Sequence, residues 1–546
     1  MIVRSITRCA RIRKIPKLQA SAQRINRRSS YSTSSTNSTT SAAPSPGSSP
    51  ASMLGAFTNE CDKIAPRFDV EASQIQILRT PAEFYNTLKS KILAAETRIF
   101  LSTLYIGKTE HELISTLQQA LRAKPHLKLS ILTDALRGTR ESPNASCASL
   151  LAPLVQEFGA ERVEVRMFHT PNLTGLRKKW IPKRINEGWG LQHMKLYGVD
   201  DEIIISGVKR ANLSSDYFTN RQDRYHVFSS KEVTEYFAKI QNAVSSLSFL
   251  VTPDPQLPAG YTLEWPSSNN CPSPLTDPST YKSHATSILT PLLQPSASPS
   301  TTSSTPSKTN TAIYPISQFT PLFPPAANDP STEFPLLTHL LKLLSQPTTP
   351  PSTWTFTAGY FNPSPQLTSL LLSTTSRNNT VLTASPHANG FYNSPGVSGM
   401  LPAAYTLLSR KFLAAAEKRV PKPDIRLREW RQGTVNEEGG WTYHAKGLWV
   451  DFITGLEKER GKEQIPAITV LGSSNYTKRS YTLDLETGVV IVTTDEGLRG
   501  RLREERDALG EWAREVTMRE FESSERRVGV HVRIAMWIVG VVGGAL

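Results

Sequence analysis

The stretches His193-Met-Lys195-Leu-Tyr-Gly-Val-Asp200 and His444-Ala-Lys446-Gly-Leu-Trp-Val-Asp451 carry one pattern, His-x-Lys-x4-Asp, twice in a single chain of 546 residues. With Lys and Asp each near one residue in twenty, a given His meets both conditions about once in 400 by chance. Two occurrences among ten histidines therefore mark an internal duplication. The agreement extends downstream. In the second copy the apolar run Ile468–Leu471 leads into Gly472-Ser473-Ser474-Asn475, and Glu486 lies eleven residues past that Asn. In the first, Ile203–Ile205 leads into Ser206-Gly207 and then Asn212, with Asp223 eleven residues past it.

Outward from these motifs the chain alternates strand and helix patterns. Helical spacing over 81–96 (Phe84, Leu88, Ile92, Leu93) precedes a strand at 99–105; a helix over 110–123, a strand at 127–132, a helix over 147–158 and a strand at 163–168 follow. The pattern resumes with a helix over 334–345, a strand at 354–360, a helix over 365–374, a strand at 380–385 and a helix over 403–418; more strands run to about 493, and a charged helix covers about 495–519. Such alternation predicts an α/β fold. The duplication divides it into two lobes, each a mixed β-sheet flanked by helices. The expected divisions are a tail over 1–60, a lobe over 64–265, a Ser/Thr/Pro-rich flexible insertion over 266–312, a second lobe over 313–525 and an apolar segment over 526–546. Within the insertion, twelve of the thirteen residues 295–307 are Pro, Ser or Thr, too little apolar area to offset ordering entropy.

The repeated residues suit phosphoryl transfer. Residues two apart on a strand share a face, so His193 projects with Lys195 and His444 with Lys446. Lobes packed face to face would bring two imidazoles and two ammonium groups into one cleft. One His can attack phosphorus covalently while the other protonates the leaving group and then deprotonates the incoming nucleophile. Lys195, Lys446, Asn212, Ser473 and Asn475 can neutralise the phosphate oxygens. A carboxylate on the far ring nitrogen would fix each imidazole's tautomer, with Asp223 and Glu486 as the candidates. Asp200 and Asp451 complete the motifs at hairpin turns and take a supporting place in the catalytic set. The two lysines supply the positive charge, so this chemistry calls for no metal and no cofactor.

Composition narrows the setting. Residues 1–59 hold nine basic residues and no acidic one, with Glu60 the first carboxylate. An Arg-rich, Ser-rich, acid-free beginning is the composition of a mitochondrial transit peptide. Removing those nine charges from the net +15 leaves +6, too weak a field for a nucleic-acid partner. Cysteines 9, 61, 147 and 271 form no metal-ligand spacing and no disulfide framework. The loop Arg177-Lys-Lys-Trp180-Ile-Pro-Lys-Arg184 reads either as a contact for anionic headgroups or as an ordinary solvated loop. Arg221 and Arg224 flank Asp223 and suit either an acceptor phosphate or ordinary ion pairing. The thirteen uncharged residues 534–546 are too few to span a bilayer as a helix; they read as a docked element or as a shallow membrane anchor.

The doubled motif with its downstream Gly/Ser–Asn element resembles the phospholipase D superfamily. Several stretches narrow the likeness to its mitochondrial phosphatidylglycerophosphate synthases. These are Phe168-His-Thr-Pro171, Gly190-Leu-Gln-His193, Asp216-Tyr-Phe-Thr-Asn-Arg-Gln-Asp223, Thr357-Ala-Gly-Tyr-Phe-Asn362, Asn389-Gly-Phe391, Pro402-Ala-Ala-Tyr405 and Trp441-Thr-Tyr-His444. The resemblance covers about 75–265 and 313–495. It implies two phospholipase D-like lobes with the active site between them. It also implies transfer of a phosphatidyl group from CDP-diacylglycerol to sn-glycerol 3-phosphate, in phosphatidylglycerol and cardiolipin synthesis on the matrix side of the mitochondrial inner membrane. His193 is then the nucleophile and His444 the acid and base. A phospholipase D-type hydrolase or a cardiolipin synthase would share this cleft, and an inactive lipid-binding relative would keep its shape. One feature departs from the family's Ser-Gly-Ala-Asn: here Val208-Lys209-Arg210 stand between Gly207 and Ala211-Asn212.

Overall fold

The computed structural model describes residues 50–541, apart from 184, 208–218, 296–308, 326–327, 348, 350 and 453–464. The expected transit segment through residue 49, Asn212, the inserted Val208–Arg210, Arg184, most of the Ser/Thr/Pro run and the last residues 542–546 lie outside the described residues.

Among the described residues the strands form two nine-stranded mixed sheets and one two-stranded ladder. The first sheet has at its centre three parallel strands, Val163–Phe168, Lys128–Asp134 and Arg98–Ser102. These are followed by antiparallel Leu196–Val199, Glu202–Ser206 and Tyr225–Phe228. The second sheet repeats that order: parallel Ile425–Trp430, Asn379–Ala384 and Ser352–Ala358, then antiparallel Lys446–Phe452, Pro466–Gly472 and Glu486–Thr493. The sequence duplication is thus a duplication of topology. The central strands are covered on both faces, and so they read as unbroken apolar runs such as Ile203–Ile205 and Val489–Val492.

Three large cores follow from this layering. Helices Pro81–Ala94, His111–Ala123 and Cys147–Phe158 bury Leu88, Leu117 and Leu151 against Leu101, Ile131 and Val165 of the first sheet. Helices Glu333–Leu343, Pro365–Ser373 and Leu401–Lys418 cover Trp354, Phe356 and Val450 of the second. The third core unites the two halves. It joins Ile203, Ile205 and Phe228 to Leu471, Val489 and Ile491 through helices Lys231–Ser245, Pro278–Leu293 and Glu496–Gly510.

The structure corrects three expected boundaries. Residues 278–293, read as part of a flexible insertion, are a helix whose Tyr281, Ala285, Leu289 and Leu293 recur every four residues and are buried. Asp277 caps it by accepting from the amides of Ser279 and Thr280 at 3.0 and 3.1 Å. The tail's last residues, Pro50–Cys61, are also helical and bury Met53, Phe57 and Cys61 in the second core. Finally, Phe68–Val70, placed by sequence in the first lobe, pairs with Thr311–Ile313 in the second sheet.

Candidate active site

Both histidines sit at the sheet edge where the parallel strands end. His193 lies three residues before strand Leu196–Val199, and the adjoining Gln192 amide donates to Asp134 Oδ2 at 2.9 Å, at the end of strand Lys128–Asp134. His444 follows the two-residue strand Thr442–Tyr443 and lies against Gly359, at the end of strand Ser352–Ala358. A Cβ on Gly359 would fall 2.6 Å from His444 Cα, so this approach requires glycine.

The halves exchange partners here. Gln192 bridges to Leu485, and the His193 amide donates to the Leu485 carbonyl at 2.9 Å. Strand Thr442–Tyr443 pairs with Arg221–Gln222, and the His444 amide donates to the Gln222 carbonyl at 2.9 Å. Each histidine backbone is therefore fixed to the residue that precedes the other half's carboxylate. The side chains follow: His193 Nδ1 lies 2.7 Å from Glu486 Oε2, and His444 Nδ1 lies 3.0 Å from Asp223 Oδ2. All four groups are buried. Asp223 and Glu486 were expected to orient the histidines; that each serves the opposite half is visible only in the tertiary structure.

The lysines complete the cluster. Lys446 Nζ is 2.7 Å from His444 Nδ1, donates to the His444 carbonyl at 3.0 Å and also donates to the Gly207 carbonyl. Lys195 Nζ donates to the His193 carbonyl. Burial pushes the Asp223 carboxyl up to about 6, with Lys446 and the Arg224 amide pulling the other way. Asn475 is buried, and among the described residues its Nδ2 has no hydrogen-bond partner.

Three further expected site residues make framework contacts. Ser473, expected on the phosphate, donates its one hydroxyl proton to Glu486 Oε2 and accepts from the Thr487 amide at 3.1 Å, so it braces that carboxylate. Asp200 stands at the far end of its strand with φ 48° and accepts from the amides of Glu96, Thr97 and Arg98 and from the Thr97 hydroxyl. Although burial acts to raise its pKa, those donors hold it below the usual carboxylate range. Asp451 is five residues beyond Lys446 on one strand, roughly 16 Å away. It pairs with Arg506, and burial, opposed by that guanidinium, pushes it up to about 6. Neither Asp can touch a group held between the histidines, because each strand runs away from the cleft.

Arg224 is likewise structural. It is fully buried, binds Glu505 at 2.8 Å, donates to the Val470 carbonyl at 2.7 Å and stacks on Trp449. Sequence reasoning missed Asp134, Glu333 and the aromatic wall. Tyr360 meets His444 edge-on with ring centres 5.0 Å apart and stacks on Tyr405, with Phe391 beside it. All three aromatics stand in stretches already singled out above, which was their signal. Glu333 and Asp134 carry none, since a lone carboxylate in a sequence does not announce its burial.

No protein-family model matches the chain. Curated relatives do. A CDP-diacylglycerol–glycerol-3-phosphate 3-phosphatidyltransferase of Saccharomyces cerevisiae is 46% identical over 474 residues, 87% of this chain and 89% of the relative. The chain belongs to this phosphatidyltransferase family. A relative of the same name in Schizosaccharomyces pombe is 39% identical, covering 82% of this chain and 90% of the relative. The Homo sapiens relative, whose name adds "mitochondrial", is 33% identical, covering 86% and 83%. Among solved structures, phosphatidylserine synthase of Haemophilus influenzae Rd KW20 is similar in fold, with a TM-score of 0.63 and 19% identity over 90% of this chain and 98% of that one.

Proposed function

We propose that the chain transfers a phosphatidyl group from CDP-diacylglycerol to sn-glycerol 3-phosphate, giving phosphatidylglycerophosphate and CMP, by the two-histidine chemistry of the phospholipase D superfamily. The observation that carries this reading is the reciprocal pairing His193–Glu486 and His444–Asp223 across the two halves. The names of relatives up to 46% identical over most of the chain support the substrates.

With its Nδ1–H held by Glu486, His193 Nε2 carries that ring's lone pair, whereas His444 begins as the imidazolium, with an Nε2 proton to give to the leaving group. His193 Nε2 attacks the phosphatidyl phosphorus and a P–N bond forms. The P–O bond to CMP breaks, and His444 gives CMP its proton. Glycerol 3-phosphate then enters, and His444 takes its hydroxyl proton as that oxygen attacks phosphorus and expels His193. Lys195, Lys446 and Asn475 turn to the phosphate oxygens, with Asn212 as the first-half counterpart. A membrane-lipid donor and product, the Arg-rich composition of residues 1–59 and the mitochondrial naming of the human relative support a site of action at the mitochondrial inner membrane, facing the matrix.

The test incubates the full chain with CDP-diacylglycerol and labelled glycerol 3-phosphate. Labelled phosphatidylglycerophosphate is expected, falling by about 10³-fold or more in His193→Ala and in His444→Ala. Phosphatidic acid formed in place of that product would favour a hydrolase, and undiminished turnover in either variant would overturn the mechanism.

A further inference from the structure

Two surface patches, one from each half, combine exposed apolar side chains with cations. In the first half, helix Gly175–Trp180 presents Leu176 and Trp180, each 74% exposed, among Arg177, Lys178 and Lys179. In the second half, the C-terminal helix Val530–Val541 docks through Val532, which is buried, and leaves Val530, Ile534 and Trp537 at 68, 53 and 68% exposure. These lie at i, i+4 and i+7, a single stripe along the helix. At about 18 Å the helix is shorter than a bilayer's hydrocarbon core. No helix among the described residues is long and apolar enough to cross a membrane.

The chain just before that helix lines a cavity of about 580 Å³ with His387, Arg431, Arg514, Arg526 and Arg527 on its walls. A neighbouring cavity of about 320 Å³ carries Arg410, Arg526, Arg527 and Arg533, with Glu522 as its acidic wall residue. Among the described residues, Arg526 is the member of these sets that pairs with a carboxylate, Glu429 at 2.6 Å. So much positive charge beside an apolar stripe is costly to leave clustered and suits a surface of phosphodiesters.

Both patches issue from the catalytic ends of the parallel strands. Helix Gly175–Trp180 begins seven residues beyond strand Val163–Phe168, beside the segment that carries His193. The second patch rests on helix Leu401–Lys418, which the chain reaches from strand Asn379–Ala384 and whose Thr406 and Arg410 line the cavities named above. We infer that these patches together form a docking surface for a bilayer rich in anionic phospholipid, one contact on each side of the catalytic opening. The apolar side chains enter the boundary between headgroups and acyl chains, and the arginines and lysines meet headgroup phosphates. The occupant is set by charge: among the described residues Arg177, Lys178, Lys179, Arg527 and Arg533 form no ion pair with a carboxylate, and a second copy of this basic chain would add repulsion. The inference rests on the transferase reading only in that donor and product are membrane lipids; vesicle binding is read independently of it.

The test sediments the full chain with phosphatidylcholine vesicles, with and without phosphatidylglycerol, at low and high salt. The variants are Leu176→Asp with Trp180→Asp, Ile534→Asp with Trp537→Asp, and Arg527→Ala with Arg533→Ala. The parent is expected to prefer the anionic vesicles and to be released by salt. Each apolar pair should lower partitioning about tenfold or more. The arginine pair should lower it about fivefold per cation on anionic vesicles alone. Turnover of detergent-dispersed CDP-diacylglycerol should stay at the parent's level in all three while turnover on vesicles falls with binding. Vesicle binding equal to the parent's in the variants, or indifferent to lipid charge, would overturn the inference. So would a parent dimer that the variants split while still binding vesicles, or a loss of detergent turnover equal to that on vesicles. A parent inactive in detergent would instead count against the transferase reading, and sedimentation would still decide the surface.

Discussion

At the residue scale, the site depends on buried carboxylates, of which Asp223 and Glu486 recur at one spacing in the sequence and Glu333 has no such counterpart. Glu486 holds His193 with Ser473 donating to it, and Asp223 holds His444 through Oδ2 while its Oδ1 accepts from the Arg224 amide at 2.8 Å. Glu333 opens helix Glu333–Leu343 and is buried near both Ser474 and Glu486. Burial pushes its carboxyl up to about 8 from 4.5, the Glu486 charge adding to the rise and the Ser474 hydroxyl opposing it. The sign of the consequence follows from linkage. Folded and unfolded forms are both protonated below about pH 4.5, so nothing is lost there. As the pH rises towards 8 the unfolded chain ionises first, and stability falls by up to a few kcal/mol. Glu333→Gln should therefore raise the melting temperature at pH 8 and leave it nearly unchanged at pH 4.5. An identical pH slope in parent and variant, measured by calorimetry, would sink this assignment.

At the element scale, the two motif aspartates serve the framework: Asp200 organises a turn, and Asp451, within strand Lys446–Phe452 rather than at a hairpin turn, pairs with Arg506. Asp200 adopts a left-handed conformation that Asp and Asn tolerate, and its side chain gathers the backbone donors at the start of strand Arg98–Ser102. Asp200→Ala should cost about 2–3 kcal/mol in urea unfolding, and Asp200→Asn less, with kcat in the folded protein within about threefold of the parent. A collapse of kcat in a well-folded Asp200→Asn protein would return this residue to the catalytic set. Helix Pro278–Leu293 teaches a related lesson about legibility. Its surroundings are so rich in Ser, Thr and Pro that the four-residue recurrence of Tyr281, Ala285, Leu289 and Leu293 was overlooked. By contrast, the helices and strands of 81–168 and 352–418 were readable to within a few residues, because their apolar periods are strong and uninterrupted.

At the scale of the whole molecule, the halves are joined by more than the cleft. Arg224 from the first half reaches Glu505, Thr469 and the Val470 carbonyl in the second, and His226 Nε2 is 2.8 Å from the same Glu505. Although burial acts to raise it, Arg224 and His226 hold the Glu505 carboxyl far below its ordinary range. Arg224→Ala leaves that buried charge with only His226 and the Trp449 indole against it and should destabilise the protein by about 3–5 kcal/mol. It should do so through a single unfolding transition in both halves, because the third core contains residues of each sheet. Two separated transitions in a calorimetric scan, with only one affected, would show the halves to be independent.

The doubled motif and the alternation of elements sufficed to predict a duplicated α/β fold and the two carboxylates that lie against His193 and His444. Those features depend on residue type and on spacing within one segment, and the linear sequence carries both. The partners of Asp200 and Asp451 were settled by contacts 102–104 and 55 positions apart, and which carboxylate serves which histidine and where Arg224 spends its charge by contacts between residues more than 200 positions apart. Such contacts arise only when the two sheets close on a common core, since burial and long-range register are properties of the packed chain.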